Sequence, residues 1–489
     1  MAPPTIRRSY RATYAVLALA VAGFALLQSL VIPVLSTVQA GLHTSQNTVT
    51  WVLTAYLLSA AIFTPIMGRL GDMYGKERLL VLTLIALTLG SLLAAVASSI
   101  SVMIVARAIQ GIGGGVLPLS FGLIRDEFPK EKVLGAIGVI AALAAAGGGV
   151  GIVLAGPIVD ALDYHWLFWI PMIVMAFGTL AAHYVIPESD VRTPGTLSWP
   201  GVVLLSLWLV ALILAISEAP TWGWGSTRVI GLLVLGTVVA AAWVFVEARS
   251  THPLIDMKMM RIPAVWTTNL VALLLGVGMY AVFAFLPEFL QTPRSAGYGF
   301  GLSITKSGLI LLPASVFMFV FGMLSGRLSR RYGSKYVLVA GLFVGIANFA
   351  ILTFAHAAQW EILLAMVIEG VGFGLAFSSM SALVVVAVPP HQTGVASGMN
   401  ANIRTIGGSV GAAVMSSIVT SGVRAGEVPR QSGYTHGFAL LTVAAIAATV
   451  AAFFVPGRLR APALTTEATL PHGELGMVAA GTLAGDESE

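Results

Sequence analysis

Apolar residues in this chain do not alternate with polar ones; they run in long blocks separated by short breaks of Gly, Pro and charged residues. Crossing a bilayer takes ~20 helical residues, and blocks of about that length recur from Tyr14 to Val455. The pattern predicts fourteen membrane helices, over residues 14–35, 51–70, 79–98, 101–123, 134–159, 166–186, 201–218, 228–246, 266–290, 305–326, 337–355, 361–383, 395–420 and 436–455. The 489 residues are 57% hydrophobic and 10% charged, a balance no soluble domain shows. The expected class is therefore an all-α integral membrane protein.

Basic residues set the orientation, because cytoplasmic loops retain Lys and Arg. With the amino terminus inside, cytoplasmic segments hold 19 of the 26 Lys and Arg residues, and Arg107 and Arg404 fall within spans. Both termini are then cytoplasmic. The net charge of +5 lines one membrane surface instead of forming a nucleic-acid stripe. Arg7, Arg8 and Arg11 flank the first block as in a signal peptide, but the block is too long for a cleavable core and reads as a retained helix. The chain has no cysteine, which excludes disulfides and thiolate chemistry.

The chain also repeats itself. GRLGDMYGKERLL, from Gly68, returns as GRLSRRYGSKYVL from Gly326, with six of thirteen positions identical and Asp72 replaced by Arg330. QGIGGG from Gln110 matches EGVGFG from Glu369, and GGGVG from Gly147 matches GGSVG from Gly407, at nearly the same offset. Two related halves are implied, a recurring transporter plan with the substrate site between them near the midplane. Six helices with their loops need roughly 200 residues at ~20 per span, so the remainder of the offset is assigned to an inserted hairpin. The expected units are a six-helix bundle over 1–190, the hairpin with its linkers over 191–260, a second six-helix bundle over 261–457, and a disordered cytoplasmic tail over 458–489. The tryptophans of TWGWG, from Thr221, read as interface anchors at the hairpin tip.

GRLGDMYGK, RAIQGIGGG and GMNANIRTIGGSVG together resemble the fourteen-helix drug:proton antiporters of the Major Facilitator Superfamily, of the actinobacterial multidrug-efflux type, over residues 14 to 455. The resemblance implies the major facilitator fold, alternating access between the halves, and export driven by proton entry. It also implies a cytoplasmic latch. Asp72 would meet the start of helix 13 near Gln392 to Val395, with Lys76 and Asp126 as partners, when that side is closed. Arg107 matches an arginine associated with proton transfer, and Arg404 matches the family's helix 13 arginine.

Physical chemistry adds roles to these positions. Gly68 permits close helix approach and Gly75 a tight turn. By pseudosymmetry, Arg330 should approach the acidic segment from Arg125 to Lys132, which carries Asp126, Glu127 and Glu131. Gly147, Gly151, Gly156 and Pro157 suit close packing or a hinge in helix 5. There the family motif is incomplete, with Ile152, Asp160 and Ala161 where glycines are expected. In helix 1, Gln28 stands where the family usually places an aspartate, and glutamine cannot titrate. Gln28, Gln110, Asn400 and Asn402 are the candidates for lining a substrate cavity.

Intramembrane charge is costly and marks function by default. Arg107, Arg404, Glu369 and Glu288 are the proton-coupling candidates. Glu369 is the leading acid, expected near mid-membrane with Arg404 close enough to offset the effect of burial or to form an ion pair with it. The eight histidines are scattered, which argues against a metal site, and no nucleophile motif supports a membrane enzyme. The expected function is secondary export of amphipathic, aromatic or cationic compounds in exchange for protons across a bacterial inner membrane, by a monomer whose partners are lipid, substrate and protons, with no cofactor and no nucleic acid. Proton-coupled uptake or facilitated transport of a metabolite, and a non-transporting sensor or scaffold, are the alternatives.

Overall fold

The computed structural model describes residues 10–189, 196–251, 253–421 and 428–457. The tail expected to be disordered lies outside them. Fourteen long helices run in chain order: α1 (Tyr10–Val34, ending in a 3-10 turn), α2 (Trp51–Tyr74), α3 (Lys76–Ala95), α4 (Ile100–Glu127), α5 (Lys130–Ala161), α6 (Trp166–Val185), α7 (Trp199–Trp222), α8 (Thr227–Arg249), α9 (Pro263–Gln291), α10 (Ile304–Tyr332), α11 (Ser334–Phe354), α12 (Gln359–Ala387), α13 (Thr393–Val419) and α14 (Gln431–Phe453). Among the described residues there is no strand. Thirteen of these helices are long and apolar enough to cross a membrane. The other, α13, carries Asn400, Asn402 and Arg404 and is screened from lipid by its neighbours, with all three side chains buried.

The repeat is visible in the packing. Helix α5 lies against α1, and its counterpart α13 lies against α9. The second helix of each half crosses the fifth of the other, so α2 meets α13 and α10 meets α5. Both crossings need bare backbone at equivalent positions. A Cβ on Gly394 would stand 2.7 Å from the Gly68 carbonyl oxygen, and one on Gly326 would stand 2.8 Å from the Gly135 Cα. Gly75 and Gly333 end α2 and α10 with φ of 117° and 94°, a backbone that favours glycine.

Helix α2 runs past the expected boundary at 70 to Tyr74, and α3 begins at Lys76. Asp72 and Lys76 therefore belong to helix ends instead of a loop, separated by the break at Gly75. Helix α4 is broken by a 3-10 turn over Ile112–Gly115, where a Cβ on Gly115 would stand 2.5 Å from the Met67 Cβ of α2. Helix α5 is continuous through Pro157. Its glycines are divided between two neighbours. Gly147 and Gly151 seat α1 through Ala25 and Ser29, whereas a Cβ on Gly156 would stand 2.6 Å from Thr305 Oγ1 of α10.

The hairpin α7–α8 packs through α7 onto both α2 and α13, covering the seam between the halves. At its tip, Trp224 Nε1 donates to Ser417 Oγ of α13 at 2.7 Å, so this tryptophan ties the hairpin to a neighbouring helix. At its base, buried Glu247 accepts the backbone N–H of Ile255 at 2.9 Å.

Candidate functional site

One end of the seam is built from four helix termini. Asp72, in the last turn of α2, is fully buried; its Oδ2 lies 3.4 Å from the backbone nitrogen of Val395, which donates to it from the first turn of α13. Helix N-termini present unpaired N–H groups and a partial positive charge, so a carboxylate suits this position. Lys76 Nζ stands 3.5 Å from Asp72 and 2.6 Å from Asp126, at the end of α4. Asp126 also accepts from the Ser189 hydroxyl at 2.5 Å.

Next to this group, Arg125 crosses to the other half. Its guanidinium donates to the Val385 carbonyl at the end of α12 and, at 2.8 Å, to Thr393 Oγ1 at the start of α13. A cation at a helix C-terminus complements the exposed carbonyls. In the sequence, Arg125 is only the first residue of an acidic segment. Its partners are a backbone carbonyl and a threonine on the opposite half, which leave no charge pattern to read.

The second copy of the loop behaves differently from expectation. Arg330 does not reach Asp126, which is occupied by Lys76 and Ser189. One of its guanidinium nitrogens lies 3.2 Å from where a Gly135 Cβ would be, one turn beyond the acidic segment. Among the described residues, no ion pair joins Arg330 to Asp126 or Glu131.

Further along, the seam holds two small cavities that meet at Arg404. The larger, about 50 Å³, is lined by Phe24, Gln28, Tyr56, Tyr280, Asn402 and Arg404, among others. The smaller, about 10 Å³, includes Phe377, Ser397, Asn400 and Arg404. Arg404 packs over the Phe377 ring at 4.4 Å, and its Nε has no hydrogen-bond partner among the described residues. Both polar atoms of the Asn402 side chain are likewise unpaired, although the residue is only 2% exposed. Asn400 donates to Asn269 Oδ1 at 2.9 Å. The structure thus brings Gln28, Asn400, Asn402 and Arg404 together.

Gln110, expected in the cavity, is instead absorbed by the N-terminal half. Its Oε1 accepts from Arg107 at 2.8 Å and its Nε2 donates to Ser91 of α3 at 3.0 Å. Arg107 is fully buried, donates through Nε to the Val52 carbonyl at 3.0 Å, and sits over the Tyr56 ring at 4.5 Å. It stands behind the aromatic wall of the cavity. Met366 holds the matching place in α12.

The expected proximity of Glu369 and Arg404 is not found. Glu369 is fully buried beside Asn348 of α11, and the two side chains face each other without meeting hydrogen-bond geometry. The repeat explains the direction: Glu369 is the counterpart of Gln110, which also turns towards the third helix of its own half. Glu288 is elsewhere, in an open recess of about 460 Å³ lined by Ile32, Pro33, Ile152, Pro287 and Gln291 among others.

Comparison with known proteins agrees with this architecture. A family model, Major Facilitator Superfamily, matches residues 17–412. The chain is 29% identical over 390 residues to the multidrug resistance protein B homolog of Mycobacterium tuberculosis, covering 77% of this chain and 70% of that one. It is 29% identical to multidrug resistance protein 3 of Bacillus subtilis, covering 76% and 72% of the two chains. It is 27% identical to the tetracenomycin C resistance and export protein of Streptomyces glaucescens, covering 80% and 72%. Among solved structures, the human organic anion transporter MFSD10 (TETRAN) superposes with a TM-score of 0.67 over 92% of this chain and 100% of that chain, at 16% identity, a likeness of fold. The duplicated crossings, the polar seam and the extent of the family match lead to one conclusion: the chain is a multi-pass membrane protein that belongs to the Major Facilitator Superfamily.

Proposed function

We propose that this protein is a secondary exporter of amphipathic small molecules, drugs among them, working by alternating access in exchange for protons. The observation that carries the reading is a polar cavity at the seam between the halves, closed on the cytoplasmic side by Asp72, Lys76 and Arg125. Two bundles that share such a seam expose it to either side by rocking about it. The names of the relatives, two multidrug resistance proteins and an antibiotic resistance and export protein, support the drug class.

Within this reading, residues 1–190 and 261–457 are the rocking bundles and 191–260 is the hairpin. The protein sits as a monomer in a bacterial inner membrane with both ends cytoplasmic. No catalysis, cofactor or nucleic acid is involved; the proton gradient is the energy source. Glu369 remains the coupling candidate, acting through the α11–α12 contact at Asn348. Arg107 and Arg404 serve the seam, and Glu288 serves the external recess.

Accumulation of a fluorescent drug in everted vesicles, with and without an uncoupler, tests the proposal. Uncoupler-sensitive movement is expected. Transport untouched by the uncoupler would remove proton exchange, and no transport of any probe would remove the exporter reading.

A further inference from the structure

We infer that the substrates of the central cavity are small aromatic anions, carboxylates or phenolates, and not cations. The inference rests on the exporter reading and names its substrate class.

The larger cavity has one formal charge in its lining, the guanidinium of Arg404, and neither cavity is lined by a carboxylate. Gln28, also in the lining, is uncharged. Glu369 is turned away towards α11, and Asp72 and Asp126 are held by Lys76 at the cytoplasmic end. A second cation, Arg107, lies behind Tyr56 with no acid partner among the described residues. The field at the seam is therefore positive from both halves.

A buried guanidinium kept for structure alone is ordinarily paired, because desolvating an unpaired charge is expensive. Arg404 has the Phe377 ring and the Tyr280 side chain for partners and no carboxylate among the described residues, and its Nε is unpaired at 7% exposure. Asn402 adds an unpaired amide beside it. A carboxylate or phenolate would satisfy these donors by charge-assisted hydrogen bonds, and Phe24, Tyr56 and Tyr280 supply aromatic walls for the ring. A cation entering the same space would meet like charge with no counter-ion. Of the aromatic or cationic compounds expected from the sequence, this assignment keeps the aromatic character and replaces the positive charge with a negative one.

The volume of about 50 Å³ belongs to a closed seam, so the ligand enters when the halves part. Energetics favour the direction of export: an inside-negative potential of 100 mV favours departure of one negative charge about 50-fold.

The full chain reconstituted in proteoliposomes tests the assignment with fluorescein and salicylate as anions and ethidium and tetraphenylphosphonium as cations, alongside fluorescein binding in detergent. Wild type is expected to move the anions at least tenfold faster than the cations. Arg404→Gln should lose anion binding and transport tenfold or more, Arg404→Lys should retain part of both, and Gln28→Asp combined with Arg404→Gln should shift preference towards ethidium. A matched melting temperature for Arg404→Gln and wild type separates loss of the charge from loss of the fold. Ethidium transport without fluorescein binding would overturn the anion site while leaving the exporter reading intact. Fluorescein binding abolished by Arg404→Gln but never transported would uphold the site and sink the exporter reading. Equal anion transport by wild type and Arg404→Gln would overturn the inference.

Discussion

Asp72 and Val395 are 323 positions apart in the chain, yet the backbone N–H of Val395 donates to the Asp72 carboxylate across the seam at 3.4 Å. The contact joins the end of one half's second helix to the start of the other half's fifth. It exists only while these ends of α2 and α13 are together. Asp72→Asn is accordingly expected to impair cycling more than binding, with a shift between states of ~1–3 kcal/mol, the usual scale of such coupling. Substrate affinity measured in detergent and turnover measured in vesicles separate the two; an equal loss in both would contradict a latch.

The Gly68–Gly394 crossing makes a steric prediction. A Cβ on Gly394 already stands 2.7 Å from the Gly68 carbonyl oxygen and 3.1 Å from Asp72 Oδ2, and both neighbours are hard to displace. Gly394→Leu should hold the cytoplasmic side open. Because the chain has no cysteine, a single cysteine replacing Ser397 reports the change cleanly: maleimide labelling from the cytoplasmic side should rise in the glycine variant. Unchanged labelling would mean that the crossing is not the closure point.

Cytoplasmic pH should act on the same closure through His391, in the turn between α12 and α13. Burial, then Arg69 of α2, Arg125 of α4 and Lys76 of α3, hold its pKa below the ordinary 6.5; Asp256, bonded to the adjacent Gln392, is the nearby acid. The closed state thus prefers neutral histidine, and its contribution is complete above pH 6.5 and lost as the pH falls below that value. Relative to an exposed control cysteine, which cancels the loss of thiolate at low pH, labelling at the Ser397 cysteine should increase between pH 7.5 and 5.5, and less so in His391→Gln. Identical pH profiles for the two proteins would exclude His391 as the sensor.

Glu369→Gln should fold, bind substrate and sustain counterflow exchange, yet lose accumulation driven by a pH gradient. Glu288→Gln, in the external recess, should keep it. Loss in Glu288→Gln alone would move coupling to α9, and accumulation in both variants would end the carboxylate hypothesis.

Removing the Gln110 side chain tests the buried arginine. Gln110→Ala deprives Arg107 Nη1 and Ser91 of their shared partner, and an orphaned buried group costs about 1–3 kcal/mol. A lower melting temperature in detergent is the expected outcome, with less loss for Gln110→Glu, which keeps an acceptor. Equal melting of all three proteins would show that water replaces the amide.

Helix number, order and the two-half plan were readable from the chain, because the bilayer demands long uninterrupted apolar spans and a duplicated packing problem leaves duplicated glycines. Gly68 and Gly326, Gly75 and Gly333 announce their roles: only glycine tolerates those approaches or that backbone, whatever surrounds it. The break at Ile112–Gly115 was signalled only as a run of glycines.

The direction in which each buried polar side chain points was not readable. Gln110 and Glu369 lie on helices that border the seam, but both face the third helix of their own half, while Asn402 and Arg404 face the cavity. In a soluble helix the polar face turns to water and reveals its phase. Here the surroundings on every side are apolar, and a helix apolar all round carries no such signal. Arg125 makes the same point at the latch, since its partners are a carbonyl and a hydroxyl delivered from the far half of the chain. The sequence by itself determined that two homologous bundles span the membrane and which residues are too polar to be there without purpose. Tertiary structure alone decided which of those residues meet across the seam, because that depends on the rotation of each helix about its axis, set by packing against neighbours hundreds of positions away.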